Sequence, residues 1–349
     1  MSLFKEALTF TRNARLVYDV NFARVDLRER LPGMARLGLK AAFDVYDAPI
    51  SLLIAVTGRC QCDCRHCGVS YLHSKEQLSA SRIETLLREY RSMGGWRVVF
   101  SGGEPLLRQD LSQLIECASG LGLASLIDTN ALALDSEKVR ELKEAGLCVV
   151  ELSIDSMDAE AMDTNRRAKG VLAGVKSAMK LCRAQNLPFA VNTVAFRDSL
   201  DGGIDEIIAY CRQAGARYVR LLEPIACGQA PTEDFLLNPE ERERMRARYE
   251  PGFVVLEQVG KTGANCSGIN GRYLSVTPDG TVNPCPYMSV PLGNVKEQSL
   301  RQIVRSTRER FADMKACEEG CGDTTCIVND PIFRSKFIDP VDGKGETDG

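Results

Sequence analysis

Six strand-like segments alternate with helix-like segments along the first two thirds of the chain. The strand-like segments are short apolar runs at residues 52–56, 97–100, 124–128, 148–154, 189–195 and 218–222. Between them, apolar residues recur at the spacing of one helix face, as in Ile83, Leu86, Leu87 and Tyr90. Short strands that are buried on both faces and alternate with helices indicate a parallel sheet with right-handed crossovers. A chain of 349 residues is long enough for such a core.

A cluster of cysteines directly follows the first strand-like segment. Cys60, Cys64 and Cys67 have the spacing C-x3-C-x2-C, and Cys62 lies inside it. Thiolates at such short spacing select iron–sulfur clusters, zinc or copper(I) over hard cations. A four-iron cluster held by three of them keeps one iron open to a ligand that is not protein. The alternatives are a structural zinc site or a redox-active thiol pair, but no second pair at zinc-knuckle spacing lies nearby in sequence.

A second motif follows the second strand-like segment. In Ser101-Gly-Gly-Glu-Pro105, two glycines, Gly102 and Gly103, precede the carboxylate of Glu104. Glycines allow the backbone to approach a ligand closely, and the carboxylate can accept hydrogen bonds from an ammonium group. Together the two motifs resemble those of the radical S-adenosylmethionine (radical SAM) superfamily. The residue before the third cysteine is usually aromatic or apolar in that family, and here it is His66.

The resemblance implies a cofactor, an activity and a fold. Cys60, Cys64 and Cys67 would hold a [4Fe–4S] cluster whose fourth iron is chelated by SAM, with the SAM amino group near Glu104. The reduced cluster would cleave SAM to methionine and a 5′-deoxyadenosyl radical, which takes a hydrogen atom from the substrate. The implied fold is α/β, a (β/α)6 partial TIM barrel with a small C-terminal cysteine-rich β-hairpin and helix extension. An eight-unit closed barrel stays open on the pattern alone.

Further residues match SAM-contacting positions of the family by resemblance. They are Asn130, Ser153 and Arg166, and segment 163–170 resembles one in peptide-modifying relatives whose arginine meets the SAM carboxylate. A guanidinium pairs well with a carboxylate, although the neighbouring Arg167 allows the assignment to shift by one position. Asn130 and Ser153 have the alternative role of capping the helices that follow.

Glu223, at the end of the sixth strand-like segment, is a candidate carboxylate on the substrate side. It is equally a candidate for a solvated strand terminus.

A second cysteine-rich region begins after the alternation stops near residue 230. Cys266 precedes a hairpin-like segment at residues 272–283 with a turn at Pro278-Asp-Gly280, and Cys285 follows. The spacing C-x13-G-x4-C resembles the start of the SPASM or twitch extension, which binds auxiliary iron–sulfur clusters in many radical SAM enzymes.

Three later cysteines complete this region: Cys317, Cys321 and Cys326. Five cysteines fit one auxiliary [4Fe–4S] cluster, because two clusters ligated only by cysteine would need eight. Cys266 and Cys285 are implied ligands, and which two of the later three join them is left open. Disulfides within the tail are the alternative. A nearby cluster would oxidise a substrate radical, whereas a hydrogen donor such as Cys62 or Cys227 would lead to epimerisation.

The predicted domains are an N-terminal helical segment at 1–48, the radical SAM core at 49–230, an auxiliary iron–sulfur domain at 231–335 and a disordered tail at 336–349. A net charge of −3 argues against a nucleic-acid groove, which needs clustered Lys and Arg. No apolar run approaches the roughly 20 residues that span a bilayer. Without a signal-peptide pattern, a cytoplasmic location is expected.

We therefore expect a radical SAM enzyme of oxidoreductase or lyase type that acts on a biosynthetic small molecule. The expected partners are SAM and a reductant such as flavodoxin or ferredoxin. No leader-peptide-binding domain is recognisable before the barrel, which favours a small or medium-sized substrate. The first alternative is a maturase that modifies a ribosomally synthesised peptide or protein, as many relatives do. The second is a non-catalytic iron–sulfur scaffold for electron transfer, which would need the cysteines but not the Gly-Gly-Glu motif.

Overall fold

The structure is a computed structural model that describes residues 49–72, 76–225, 229, 236–250, 252–256, 268–269, 271, 273–307, 310 and 312. The predicted N-terminal segment and tail lie outside these residues, as do five of the cysteines discussed above: Cys227, Cys266, Cys317, Cys321 and Cys326. Within the described residues, ten strands form one sheet.

The centre of the sheet consists of six parallel strands in chain order. They are β1 (Ser51–Thr57), β2 (Arg97–Gly102), β3 (Ala124–Thr129), β4 (Val149–Ser153), β5 (Phe189–Val194) and β6 (Val219–Leu222). Each strand is hydrogen-bonded to the next strand in sequence. The six strands predicted from the alternation are confirmed, and each begins and ends within two residues of the prediction.

Helices follow the strands and cover the outer face of the sheet. They are α1 (Ala80–Ser92), α2 (Leu111–Gly120), α3 (Ser136–Glu144), α4 (Ala159–Arg166), α5 (Val171–Ala184) and α6 (Gly203–Ala214), then α7 (Pro239–Arg246) and α8 (Leu300–Ser306). Short 3-10 helices lie at Ser70–Leu72, Pro105–Leu107 and Arg197–Leu200. The predicted apolar face of α1 is fully buried. No helix in the described part of the chain is both long enough and apolar enough to cross a membrane.

The region after β6 extends the same sheet at both edges. Strand β7 (Val254–Leu256) pairs in parallel with β6, and β8 (Tyr273–Val276) pairs in parallel with the free edge of β1. Strands β9 (Thr281–Asn283) and β10 (Gly293–Asn294) continue beyond β8 in antiparallel pairing. The predicted hairpin and its turn are confirmed, with Gly280 at φ +91°. Its place beside β1 was not predicted.

The sheet has an apolar outer face and a mixed inner face. The outer face packs on the helices through residues such as Ile54 and Phe100, which are fully buried. The inner face carries a smaller apolar cluster: Leu53, Val99, Leu126, Val149, Ala190 and Tyr218. Nearer the carboxyl ends of the strands the inner residues are mostly polar and line a cavity. This end of a parallel α/β fold is where ligands usually bind.

Candidate functional site

A cavity of about 240 Å³ lies at the carboxyl ends of the core strands. Its wall includes the cysteine loop, the Gly-Gly-Glu turn and the ends of β3 to β6. The C-terminal extension contributes Ser275, Pro286 and Tyr287. The structure brings nine predicted site residues together here: Cys60, Cys64, Cys67, Gly102, Gly103, Glu104, Asn130, Ser153 and Arg166.

The cysteine loop is anchored to the end of α4. The amide of Asp63 donates to the carbonyl of Arg166 at 3.1 Å, and the amide of Arg65 donates to the carbonyl of Asn165 at 2.9 Å. Backbone bonds of this kind fix a segment that has no regular structure of its own. The loop therefore has a defined position next to the side chain of Arg166.

Two of the thiols in the loop, Cys60 and Cys64, have a pKa below the ordinary value of a cysteine. The Cys62 thiol carries one proton and donates it to either neighbour, and this hydrogen bond lowers the pKa of Cys60 and that of Cys64, the latter to about 7. The charge of Arg166, whose Nη1 lies 3.8 Å from Cys64 Sγ, acts in the same direction. Burial instead raises the pKa of Cys67 to about 11. Thiolate is the form that binds metal, so Cys62 acts here as a donor to its neighbours.

The Gly-Gly-Glu turn packs directly on the backbone before the cysteines. The amide of Gly103 donates to the carbonyl of Thr57 at 2.8 Å, and that of Glu104 donates to the carbonyl of Arg59 at 2.7 Å. A Cβ on Gly103 would lie 2.3 Å from the Arg59 carbonyl oxygen. A Cβ on Gly102, at φ +131°, would lie 2.3 Å from that of Thr57. Both glycines line the cavity, and the absence of a Cβ at each also lets the turn pack on the chain's own backbone.

Glu104 is a buried carboxylate that three groups hold in place. It is 1% exposed and accepts hydrogen bonds from Thr129 Oγ1 at 2.7 Å, the amide of Asn130 at 2.8 Å and the amide of Leu106 at 3.1 Å. Burial raises the pKa of Glu104 to about 7 in spite of these bonds. A cation in the cavity would favour the ionised form.

Asn130 and Ser153 both lie on the cavity wall, and neither caps the next helix. The N-caps of α3 and α4 are Asp135 and Asp158, whose side chains accept the helix amides. The side-chain Nδ2 of Asn130 lies 3.8 Å from Cys60 Sγ. The capping alternative was therefore wrong for both residues.

Arg166 faces the cavity, whereas Arg167 faces solvent. The guanidinium of Arg166 is paired with the fully buried Asp155 at 2.5 Å. Its Nε is buried and has no hydrogen-bond partner among the described residues. Arg167 is about half exposed and pairs with Asp63 at 3.1 Å. The sequence left open whether the SAM contact is Arg166 or Arg167, and the geometry does not support a shift to Arg167.

His66 packs beside this ion pair. Its Nε2 lies 3.7 Å from Asp155 Oδ2, and its ring meets Phe196 edge-on at 5.2 Å between centroids. Burial lowers the pKa of His66 to about 4. The imidazole is therefore neutral at neutral pH and serves as part of the cavity wall.

The acidic residue of segment 163–170 has a structural task. The carboxylate of Asp163 accepts the amides of Gly170 at 2.8 Å and Val171 at 3.0 Å, the first amides of α5. An acidic side chain at this position satisfies helix amides that lack an internal partner. Asp163 therefore joins the end of α4 to the start of α5 and helps to fix the position of Arg166.

The sequence analysis missed several residues of the site. Asp155, Asn192 and Tyr287 line the cavity but were not selected. A polar residue within an apolar strand, as at Asn192, is the signal that could have found one of them. Glu223 also lines the cavity and is 7% exposed, with Arg242 Nη1 3.9 Å from its carboxylate. A solvated strand terminus is therefore the wrong description of Glu223.

Comparison with protein-family profiles identifies the family to which this site belongs. The profile described as the Radical SAM superfamily matches residues 54–211, and the SPASM profile, an iron–sulfur cluster-binding domain, matches residues 266–326. Together the matches cover more than half of the chain. The chain belongs to the radical SAM superfamily. This radical SAM enzyme thus carries a C-terminal SPASM domain, and its cofactors are SAM and [4Fe–4S] clusters.

Solved structures similar to this radical SAM enzyme share its fold at low sequence identity. Streptococcus suis SuiB bound to S-adenosylmethionine is 16% identical with a TM-score of 0.65, over 94% of this chain and 84% of SuiB. SuiB bound to the precursor peptide SuiA is 16% identical with a TM-score of 0.62, over 84% and 73%. The protein anSMEcpe with AdoMet and Cp18Cys peptide is 17% identical with a TM-score of 0.60, over 76% and 83%. These likenesses establish the partial TIM barrel.

The residues of the cavity fit these cofactors. The loop offers soft thiol donors, Glu104 offers a buried carboxylate for an ammonium group, and Arg166 offers an unpartnered N–H for a carboxylate. No three His, Cys, Asp or Glu side chains of the described residues are arranged around a single metal ion. A four-iron cluster spreads its thiolates over several metal atoms. The finding therefore concerns a site for one zinc ion and not a site for a cluster.

Proposed function

We propose that this radical SAM enzyme modifies a ribosomally synthesised peptide or protein. The observation that carries the proposal is that two structural relatives, matched over most of this chain, were each solved with a peptide bound. The cavity also has a wall from the C-terminal extension, so a substrate there would touch both parts of the chain. The peptide alternative is thereby better supported than the small-molecule substrate that the sequence led us to expect.

We assign the cofactor-binding roles as follows. Cys60, Cys64 and Cys67 hold the cluster, Glu104 accepts the SAM ammonium group and the Nε of Arg166 donates to the SAM carboxylate. When bound, the reduced cluster and SAM together supply a 5′-deoxyadenosyl radical that removes a hydrogen atom from the substrate.

The wall of the cavity supports these roles. Asn130 and Ser153 complete the SAM side, and Gly102 and Gly103 hold the Glu104 turn against the cysteine loop. A substrate bound over the cavity would help to keep water from so reactive a species.

An oxidative outcome fits the position of the auxiliary site. Cys285 is half-buried and directly precedes two residues that line the cavity. We assign Cys266 and Cys285, with two of the three later cysteines, to one auxiliary [4Fe–4S] cluster that accepts an electron from the substrate. An oxidoreductase reaction follows from that assignment. The domain limits, the flavodoxin or ferredoxin reductant and the cytoplasmic location stay predictions.

The first experiment is anaerobic reconstitution with iron, sulfide, dithionite and SAM, followed by measurement of methionine and 5′-deoxyadenosine. We expect both products from the natural chain, none from Cys64→Ala, and natural amounts from the control Cys117→Ser, a cysteine outside both cysteine-rich regions. Iron analysis should give about eight irons per chain, falling towards about four in Cys285→Ala. Bound iron and sulfide without any 5′-deoxyadenosine would refute the proposed activity.

The substrate class has its own test. Deuterated peptides are incubated with the reconstituted enzyme, and deuterium in 5′-deoxyadenosine is measured by mass spectrometry. Transfer of deuterium from a peptide supports peptide modification. Transfer only from small-molecule extracts, with none from any peptide, would return the assignment to a small-molecule substrate.

A further inference from the structure

A layer of charged and polar side chains lies inside the barrel beneath the rim of the cavity. We call it the polar layer: Asp128 of β3, Glu151 of β4, Asn192 of β5 and Arg220 of β6. Each member stands two residues before a residue that lines the cavity: Asn130, Ser153, Val194 and Leu222. Because a strand rises about 3.3 Å per residue, the polar layer lies roughly 7 Å below that rim. The inner apolar cluster closes the barrel beneath it.

Glu151 and Arg220 form the fixed part of the polar layer. Glu151 is fully buried, and its Oε1 accepts hydrogen bonds from Arg220 Nη2 at 2.5 Å and from the hydroxyl of Tyr218. Its Oε2 accepts none from the N–H and hydroxyl groups of the described residues. A buried charge is tolerated when it is paired, so the charges of Arg220 and Glu151 offset each other within the polar layer.

Asp128 lies beside Glu151 and shares a proton with it. The two carboxyl groups stand side by side on paired positions of β3 and β4. Burial and the charge of Glu151 raise the pKa of Asp128 well above its usual value, whereas the charge of Arg220 keeps that of Glu151 low against its burial. Two neighbouring carboxyl groups of this kind share one proton. The raised pKa of Asp128 and the lowered pKa of Glu151 place that proton on Asp128, which donates it to the Glu151 carboxylate.

Asn192 is left with an unused acceptor. Its Nδ2 donates to Asp128 Oδ1 at 3.2 Å, while its own Oδ1 is buried and accepts no hydrogen bond from the described residues. The orientation of the amide follows from its neighbour, because an Asp128 proton that points to Glu151 leaves Oδ1 able only to accept. Asn192 itself lines the cavity. A donor that reaches the bottom of the cavity would complete the network.

We propose that Asn192, oriented by Asp128, binds a neutral hydrogen-bond donor at the tip of the substrate side chain that enters the barrel. The donor is the N–H of a carboxamide or the O–H of an alcohol, as in asparagine, glutamine, serine or threonine residues of a peptide. A neutral group fits because Glu151 and Arg220 offset each other's charge and Asp128 holds a proton. An apolar side chain of the same shape would leave the acceptor unsatisfied and is rejected. The proposal rests on the peptide substrate proposed above.

The test is affinity selection from a displayed library of ten-residue peptides with every amino acid at each position, using the reconstituted full-length enzyme with SAM bound. For the natural chain we expect one peptide position enriched at least tenfold in Asn, Gln, Ser or Thr over Leu and Val. Individual peptides with Asn or Gln, or with Ser or Thr, at that position then show whether an amide or an alcohol binds more tightly. Asn192→Leu should remove the preference, and Asn192→Asp, which adds a negative charge, should shift it to Lys and Arg.

The control is Gln213→Leu, which removes a carboxamide from an exposed position of α6 and should keep the natural preference. The readout is a ratio between peptides, so a loss of overall stability in a variant does not imitate the result. Enriched peptides without a donor position, or the same donor preference in Asn192→Leu as in the natural chain, would overturn the role of Asn192 and leave the peptide substrate standing. Absence of any enriched peptide would overturn both.

Discussion

Glu104 illustrates how burial and hydrogen bonding act against each other on one side chain. Three donors favour its ionised form, but burial outweighs them and raises its pKa to about 7. A cation that enters the cavity stabilises the ionised form of such a carboxylate strongly, because the cation replaces the stabilisation that water gives to an exposed carboxylate. The geometry therefore prepares Glu104 for the ammonium group of SAM.

Replacement of Glu104 by glutamine tests that role. The amide keeps the shape but loses the charge, and charge-assisted hydrogen bonds are worth about 1.5–3 kcal/mol. We expect the dissociation constant of SAM to rise about 10- to 100-fold in equilibrium dialysis. Glu116→Gln, an exposed glutamate on α2, is the matched control and should bind SAM normally. Equal SAM affinity in both variants would contradict the assignment.

The raised pKa of Glu104 also sets the pH dependence of SAM binding. Above about pH 7 the carboxylate is ionised before SAM arrives, so the affinity is constant with respect to this group. Below that pH the ligand must displace a proton, and the affinity falls by up to about tenfold per pH unit. Titrations between pH 8 and pH 6 should show this fall in the natural chain and a smaller one in Glu104→Gln. A flat profile in the natural chain would argue against Glu104 as the contact.

At the scale of elements, the end of β2 and the start of the cysteine loop form one unit. The bonds from Gly103 and Glu104 to the carbonyls of Thr57 and Arg59 continue the pairing of β1 with β2 beyond the strands. The unit sets how far the carboxylate of Glu104 stands from the thiols. The geometry of this unit depends on glycine at positions 102 and 103, where a Cβ would collide with the neighbouring backbone.

The substitution Gly103→Ala should therefore disturb two motifs at once. A Cβ at 2.3 Å from a carbonyl oxygen forces the turn away from the loop, and overpacking of this kind costs about 1–3 kcal/mol of unfolding free energy. We expect a lower thermal midpoint and an iron content that falls towards half of the natural value after reconstitution. The control is Gly120→Ala at the end of α2, where nothing lies within 4 Å of the added Cβ. Normal iron content in Gly103→Ala would show that the turn and the loop are independent.

The sequence predicted the strands and the cavity rim because both depend on local patterns. Apolar runs gave the strands, and motif spacing gave the cysteine loop and the Glu104 turn. The pairing of β8 with β1 joins residues far apart in sequence, and no local pattern encodes it. The ion pair of Asp155 with Arg166 and the free acceptor of Asn192 both depend on which face of a strand points into the barrel. The segments near residues 150 and 190 do not reveal that face until the order of the strands in the sheet is known.

At the scale of the molecule, the C-terminal extension is part of the core sheet. Leu274 of β8 is 1% exposed and belongs to the same apolar core as the helices around β1. Disturbance of β8 should therefore reach the strand that leads into the cysteine loop.

Leu274→Ala tests this continuity. Loss of a buried leucine side chain costs about 2–5 kcal/mol, and we expect a single unfolding transition at lower temperature together with faster loss of iron to a chelator. Tyr249→Ala, at a side chain 41% exposed, is the control and should unfold near the natural temperature. Two separate transitions, with the core transition unchanged, would show that the extension is an independent unit.

The parallel pairing of β8 with β1 also has a consequence during synthesis. The ribosome delivers Ser51–Thr57 early, whereas the partner strand Tyr273–Val276 emerges only after all six core strands. One side of the central strand therefore stays without its partner through most of translation, and an open strand edge is a template for pairing with other chains. Chaperone supply and slow, cool expression should therefore raise the yield of folded protein, because both give the late strand time to pair with β1 before another chain does.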